Sequence, residues 1–358
     1  MDGLDRFAAK RRGLCVSLLG MFAGARSFAQ PVDDSLARPA LSVRAPGRTV
    51  LLGGAVVGDR IVAVGERGMI ALSDDEGRTW RQAPSPVSVT LTAVRFADER
   101  NGMAVGHGGT VLVTSDAGEH WQVRLDGRKV AQLAFDSASK LDDPRAKKEA
   151  ERLVSEGPDK PFLDLVLINP QRAIVVGAYG LAFETQDGGA TWKSWMARFD
   201  NPKSLHLYAI RRDGNDFLVA GEQGLVFRSA DGGASFRRLA TPYGGSFFTA
   251  EFVRDGSLVL AGLRGNVWRS ERGASAWTQI LVPAPASITA SAVRPDGTLV
   301  LATQAGFVLA MRDERLVPIN SSPLPPVNGL VVGKNLTLAL TVQGAIPVSA
   351  SPAQDASK

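Results

Sequence analysis

The chain has 358 residues, 44% of them hydrophobic and 22% charged, which is enough apolar material for a buried core. Its formal net charge is +5, but five basic and two acidic residues lie in the first 29 positions, so the remainder carries about +2. Nucleic-acid binding would need a concentrated cationic face, which this balance argues against. The one cysteine, Cys15, also lies in the first 29 residues, which excludes disulfides, thiol catalysis and cysteine-ligated metals further along.

Residues 1–29 have the pattern of a secretory signal peptide. Three basic residues at positions 10–12 precede the apolar stretch Gly13–Ala25, and small residues at Ser27 and Ala29 precede a cleavage site. The apolar stretch is too short for a spanning helix. We therefore expect export to the periplasm and cleavage after Ala29, by the Sec route in preference to the twin-arginine route that residues 11–12 could also signal. Residues 30–40 are expected to be a flexible mature N terminus.

An eight-residue turn, Ser/Thr-x-Asp-x-Gly-x-Thr-Trp, recurs along the remaining chain. Its Asp and aromatic positions are Asp75 and Trp80, Asp116 and Trp121, Asp187 and Trp192, and Asp231 and Phe236. A decayed copy, Ser270 to Trp277, has Arg272 and Ala274 in place of the Asp and Gly. The aromatic positions are separated by 41, 71, 44 and 41 residues, so one interval contains an insertion of about 30 residues.

A second marker gives the same repeat. Each turn is preceded by an apolar run ending in Gly-x-x-Gly, which begins at positions 65, 106, 177, 221 and 262, and weaker echoes end at Gly306 and Gly344. The second repeat contains four apolar runs, Leu91–Phe96, Asn101–Gly106, Thr110–Thr114 and His120–Leu125. Seven such four-stranded units predict an all-β fold, a seven-bladed β-propeller over residues 41–349.

The recurring turn, known as an Asp box, has residue types that a structural role explains. An Asp side chain accepts hydrogen bonds from backbone N–H groups a few positions on, and a Gly adopts positive φ. The Trp is large enough to fill the gap between blades. We therefore expect Asp75, Asp116, Asp187 and Asp231 to be structural, not catalytic carboxylates or calcium ligands.

The last repeat supplies only three strands before the polar tail, residues 350–358, which we expect to be disordered. A ring closes best when every sheet edge is paired. The segment Leu41–Ala45 precedes the first repeat and is the available donor. We therefore expect this N-terminal strand to close the last blade.

The long interval, Asp126–Lys160, is expected to be a helical insertion between blades two and three. Asp143 can cap a helix that starts at Pro144, and Gly157-Pro158 can end it. Ala150, Leu153 and Val154 belong to its apolar stripe. The insertion leaves and returns on the face that carries the Gly-x-x-Gly turns, opposite the Asp boxes.

That face is the expected binding face. The candidate partner-binding residues lie at turn tips and strand entries around the channel mouth: Arg67, His107, Tyr179, Gln223, Arg264, His206, Tyr208 and Phe247. Phe162 and Phe248 are further large residues at strand entries. The alternatives are that the tips are merely solvent-exposed and that Tyr208 and one of Phe247 and Phe248 are ordinary core. The insertion is equally compatible with a docked decoration.

Enzyme signatures are missing from the sequence. It has three histidines, His107, His120 and His206, without metal-ligand spacing, and His120 occupies the Thr slot of an Asp box. It has no Gly-x-Ser-x-Gly. Sialidases share Asp boxes, but they also have an Arg-Ile-Pro stretch, which this sequence lacks. We expect no enzymatic activity, cofactor or metal, although a carboxylate pair such as Glu66 and Glu222 leaves a glycosidase formally open.

Units such as Gly177–Gly180 running on to Trp192 resemble those of the photosystem II stability and assembly factor family, over roughly residues 41–349. The resemblance implies a non-enzymatic propeller that holds a newly made membrane protein during complex assembly. The decayed Asp boxes of blades five to seven and the insertion depart from the family's repeat. We interpret the chain as a periplasmic scaffold or assembly factor for an envelope membrane complex, such as a transporter. The alternatives are a photosystem II assembly factor proper, and a glycan-binding protein or glycosidase.

Overall fold

The computed structural model describes residues 34–271, 276–334 and 336–348. Over these residues the chain forms seven consecutive antiparallel sheets, six with four strands and one with three. The first strand of the seventh sheet contacts the first strand of the first sheet, which closes the ring. The predicted seven-bladed β-propeller is confirmed. The predicted signal peptide, residues 30–33 of the 30–40 segment, residues 350–358, Arg272 and Ala274 lie outside the described residues.

The blades follow each other along the chain, with strand one innermost. Blades one to three contain β1 Leu51–Val57, β2 Arg60–Gly65, β3 Ile70–Ser73 and β4 Arg81–Gln82; β5 Leu91–Phe96, β6 Gly102–Gly106, β7 Thr110–Thr114 and β8 Gln122–Leu125; and β9 Phe162–Leu167, β10 Ala173–Gly177, β11 Ala182–Thr185 and β12 Lys193–Ser194. The four strands predicted for the second repeat are thus confirmed within two residues.

The later blades keep this arrangement. Blades four to six contain β13 Leu207–Asp213, β14 Asp216–Gly221, β15 Val226–Ser229 and β16 Arg237–Arg238; β17 Phe247–Phe252, β18 Leu258–Gly262, β19 Val267–Ser270 and β20 Thr278–Ile280; and β21 Ile288–Val293, β22 Leu299–Thr303, β23 Val308–Arg312 and β24 Arg315–Pro318. Blade seven contains β25 Val327–Val332, β26 Thr337–Thr341 and β27 Gly344–Pro347.

The core is divided among the gaps between blades. Seven clusters of buried apolar side chains occur, one for each pair of neighbouring blades. Strand two of a blade is covered on both faces by adjacent sheets, so it is mostly apolar; β10, for example, is buried along its whole length. Each blade is therefore stabilised mainly by its two neighbours.

The Asp boxes join strands three and four. Asp75 Oδ1 accepts hydrogen bonds from the Ser73 hydroxyl (2.9 Å) and the Thr79 N–H (2.8 Å), and the Trp80 indole N–H donates to the Gly77 carbonyl (2.9 Å). The backbone N–H and then the hydroxyl of Thr79 lower the pKa of Asp75 to about 2. The aromatic residues pack into the gap to the preceding blade, as Trp121 does between blades one and two.

The expected strand over Leu41–Ala45 does not form, so this prediction is wrong. The segment lies along the outer edge of blade one, where the Gln82 side chain donates to the Leu41 carbonyl (3.0 Å) and accepts from the Val43 N–H (2.9 Å). Among the described residues, blade seven keeps three strands, and the 3₁₀ turn Pro46–Arg48 lies against β27. The backbone bonds that would have closed blade seven are thus made to blade one.

The insertion contains two helices, α1 Gly127–Ala138 and α2 Pro144–Glu156. The predicted helix is α2, and Asp143 caps it by accepting from the N–H groups of Arg145 (2.9 Å) and Ala146 (3.2 Å). The sequence analysis missed α1. Its buried stripe is mostly alanine, which gives a weak apolar signal: Val130, Ala131, Ala134 and Ala138.

Candidate functional site: the Gly-x-x-Gly face of the channel

The Gly-x-x-Gly turns form short 3₁₀ segments whose tips share one backbone conformation. The tip residues have φ between 53° and 65° in five blades: Arg67, Gly108, Tyr179, Gln223 and Arg264. Non-glycine residues rarely adopt this left-handed region. In blade two the tip is Gly108, so His107 occupies the position before the tip and is exposed. Arg67, Gln223 and Arg264 are likewise exposed, each on its own blade.

Three of the predicted residues come together with Phe248 in a row of edge-to-face rings. The ring centroids are 4.9 Å apart for Tyr179 and His206, 5.9 Å for His206 and Tyr208, and 5.3 Å for Tyr208 and Phe248. We call this row the aromatic ladder. It runs across blades three, four and five, and all four side chains are half-buried. Burial, followed by the nearby Glu222 carboxylate, raises the pKa of Tyr208.

The expectation for Phe247 is wrong, because its side chain is fully buried between blades four and five. Phe247 is the first residue of strand one, and that position is core in every blade: Leu51, Leu91, Phe162, Leu207, Phe247, Ile288 and Val327 are all 0–1% exposed. The next residue faces the channel instead. Phe248 therefore occupies the place expected for Phe247.

The blades differ in the type of side chain at this second position of strand one. In three blades it is a polar residue that bonds to the next blade: Thr92 donates to the Phe162 carbonyl (2.9 Å), Thr289 to that of Val327 (2.6 Å) and Asn328 to that of Leu51 (3.0 Å). In the other four blades the position is Leu52, Leu163, Tyr208 and Phe248. Blades three to five thus carry large side chains where three other blades have a polar residue. The sequence analysis noted large residues at these strand entries but not their alignment with Thr92, Thr289 and Asn328.

The insertion contributes cations next to the ladder. The Arg152 guanidinium carbon lies 5.3 Å and Lys160 Nζ 5.4 Å from the centroid of the Tyr179 ring. Both cations have acidic partners, since Glu156 pairs with Arg152 at 3.2 Å and with Lys160 at 2.9 Å. The insertion is therefore in contact with the mouth, as the sequence predicted for its face.

Comparison with known proteins gives one family. The model for the photosynthesis system II assembly factor YCF48 matches residues 144–315. The solved structure of YCF48 bound to D1 peptide has a TM-score of 0.63 and 16% identity, and the match covers 88% of this chain and 100% of that chain. YCF48 from Cyanidioschyzon merolae gives 0.61 and 15%, over 86% and 98%. The chain is thus similar to photosystem II assembly factors over residues 144–315, and it shares their propeller fold.

More distant matches show how far the fold extends beyond this type. The WD40 propeller domain of Doa1 has a TM-score of 0.61 at 10% identity, so the ring alone does not specify a function. The uncharacterized protein YkuO of Bacillus subtilis (strain 168) is 34% identical over 68 residues. That match spans 19% of this chain and 22% of YkuO.

A network of charged side chains, most of them buried, lies further along the channel. Strand one starts at the mouth, because its first residue pairs with a Gly-x-x-Gly glycine, as Leu91 does with Gly106. Further along, Arg95 donates to Asp164 (2.9 Å), and Arg211 pairs with Asp164 and with Glu251 (3.0 Å). The Ser291 hydroxyl also donates to Glu251 (2.7 Å). The network joins blades two to six, and the sequence analysis missed it.

Two further findings concern only residues 34–271, 276–334 and 336–348. Within these ranges no cluster of three or more His, Cys, Asp or Glu side chains could hold a metal ion. No helix there is long and apolar enough to cross a membrane.

His120 pairs with the Asp116 carboxylate of its own Asp box at 2.8 Å.

Proposed function

We propose that this propeller is a non-enzymatic scaffold, an assembly or stability factor for a membrane protein complex of the cell envelope. The aromatic ladder is the observation that carries the proposal. Rigid, half-buried aromatic side chains supply large contact area at low entropic cost, which is why they dominate protein interfaces. The match to an assembly factor family, and the structure of one such factor with a D1 peptide, support a membrane protein as the class of partner.

The ladder is costly for the fold, which favours a role in binding. A hydrogen bond between blades contributes about 1 kcal/mol to stability. Thr92, Thr289 and Asn328 make such bonds from the second position of strand one, whereas Phe248 has no group to make one, and both Tyr208 and Phe248 keep their rings half-exposed. A surface that sacrifices stability and exposes rings is typical of a binding site.

The proposed partner is an extended segment that inserts an apolar or aromatic side chain into the mouth. The ladder is flanked by Arg152 and Lys160 on one side and by Glu222 on the other. Charges of both signs suit a polypeptide backbone with mixed side chains. We place the encounter in the periplasm because residues 1–29 read as a signal peptide. A transporter is the proposed complex; in a cell that builds photosystem II, its reaction-centre proteins are the alternative.

The test is affinity purification with crosslinking from the native envelope, using a mouth variant and a matched control. The mouth variant carries Arg67→Ala, Tyr179→Ala and Arg264→Ala. The control carries Arg78→Ala, Arg237→Ala and His120→Thr, which also removes two arginines and one ring but outside the mouth. We expect the control and the wild type to recover the same membrane complex and the mouth variant to lose it. Equal recovery by all three proteins would refute binding at the mouth.

A further inference from the structure

His206 connects the turns of two neighbouring blades. Its backbone is fixed to blade four, where its carbonyl accepts from the Glu222 N–H (3.0 Å) and its N–H donates to the Glu222 carboxylate (3.2 Å). Its side chain reaches blade three, where Nδ1 accepts a hydrogen bond from the Tyr179 N–H (2.8 Å). The ring also packs edge-to-face against Tyr179. His206 thus links the Gly-x-x-Gly turn of blade four to that of blade three by backbone and ring contacts.

The bond to His206 is made by a tip with an unusual backbone conformation. Tyr179 has φ of 55°, a conformation that side-chain-bearing residues adopt only when their surroundings hold them there. Because Nδ1 accepts the Tyr179 N–H, the neutral imidazole must carry its proton on Nε2. A protonated imidazole has N–H donors at both nitrogens and no acceptor. The bond to Tyr179 therefore exists only while His206 is neutral.

Blade five contains the same arrangement with a group that does not titrate. The Arg264 N–H, also at a tip with positive φ, donates to the Ser287 hydroxyl (3.1 Å). Ser287 and His206 occupy equivalent positions, each directly before strand one of the following blade. A hydroxyl is therefore sufficient to hold a tip, and the histidine adds dependence on its proton.

We infer that His206 is a positioning residue whose neutral imidazole holds Tyr179 in place, so that protonation releases the blade-three end of the ladder. Charged or titratable groups face this pair from four elements: Glu222 in the blade-four turn, Tyr208 on β13, Arg152 on α2, and Lys160 with its partner Glu156 at the end of the insertion. Glu222 favours the protonated ring, and the positive charges of Arg152 and Lys160 are offset by Glu156 and, for Lys160, also by Asp159.

This inference concerns the same mouth as the proposed function and rests on it for its biological meaning, but its test needs no partner. The experiment measures amide hydrogen exchange of Tyr179 and Arg264 in the full chain by NMR between pH 8 and pH 5. Histidine changes charge in this range and serine does not. We expect the protection of the Tyr179 amide, relative to that of Arg264, to fall roughly tenfold towards pH 5, as loss of one hydrogen bond predicts.

Two variants separate positioning from general stability. His206→Asn keeps an acceptor at the Nδ1 position without a titrating group, so Tyr179 protection should become independent of pH. His206→Ala removes the acceptor, so protection should be low throughout. Thermal melts check that both variants fold. Parallel behaviour of Tyr179 and Arg264 in the wild type, or an unchanged pH dependence in His206→Asn, would overturn the inference even if the mouth binds its partner.

Discussion

Replacing Arg211 by Met should strongly destabilise the propeller. Arg211 donates Nε to Glu251 (3.0 Å) and Nη1 to Asp164 and to the Ile210 carbonyl (2.9 Å). The side chains of Asp164 and Glu251 are only 7% and 12% exposed, so water replaces the guanidinium poorly, and only Asp164 keeps a second arginine, Arg95. Removing one partner of a buried ion pair leaves the other charge uncompensated and costs about 3–5 kcal/mol of folding stability. We expect a loss of this size in the free energy of unfolding, measured by urea denaturation at pH 7.

An exposed ion pair provides the matched control. Arg269 pairs with Asp255 and with Glu314 (3.3 Å), but these carboxylates are 53% and 85% exposed. Arg269→Met should therefore cost less than about 1 kcal/mol. In a double-mutant cycle, adding Glu251→Gln to Arg211→Met should recover part of the loss, because one uncompensated charge disappears. Equal destabilisation by Arg211→Met and Arg269→Met would refute the view that the network acts as a buried unit.

Three further predictions follow from the Asp boxes, the N-terminal segment and the carboxylates of the mouth. The folded pKa of Asp75, about 2, lies below the usual unfolded value of about 3.9. The contribution of Asp75 to stability is therefore present above pH 4 and is lost as the pH falls towards 2. Asp75→Asn should lower the urea midpoint at pH 7 and flatten the decline of that midpoint below pH 4. Gln82→Ala should release the segment at Leu41 to limited proteolysis and leave the melting temperature within a few degrees of wild type, since the ring does not depend on that segment. Fluorogenic glycosides should not be turned over, and a turnover abolished by Glu66→Gln or Glu222→Gln would contradict the scaffold proposal.

The ring could be predicted because the repeat recurs many times along the sequence. Five Gly-x-x-Gly turns and four Asp boxes report the same four-stranded unit, so an error in one copy does not change the fold. Features that occur once had no such support. The Leu41–Ala45 segment has strand-like composition, but its position depends on the Gln82 side chain of another blade. Helix α1 was missed because alanines give little contrast between its buried and exposed faces.

Individual site residues were harder to predict than the fold. The Phe247-Phe248 pair shows why: the two rings are alike in composition, and only their place in strand one sends Phe247 to the core and Phe248 to the channel. Aligning strand one across blades would have revealed this, because its first residue is always apolar. The charge network had a similar signal, since Arg95, Asp164 and Glu251 interrupt otherwise apolar strands. Their mutual distances, however, are set by ring closure and not by sequence spacing.

In a ring of repeats, each blade serves as a control for the others. Blades five to seven lack intact Asp boxes and still form sheets, so departure from the repeat is not by itself a sign of function. The departures in blades three to five differ in kind. There, the residues that replace inter-blade donors are large and half-exposed, the tip is a tyrosine at positive φ, and its acceptor is a histidine where blade five uses a serine. Together they form one arc, and its blade-three end lies next to the insertion, where Arg152 and Lys160 lie over Tyr179. Selection for stability alone would not collect them on one arc, whereas selection for a bound partner would.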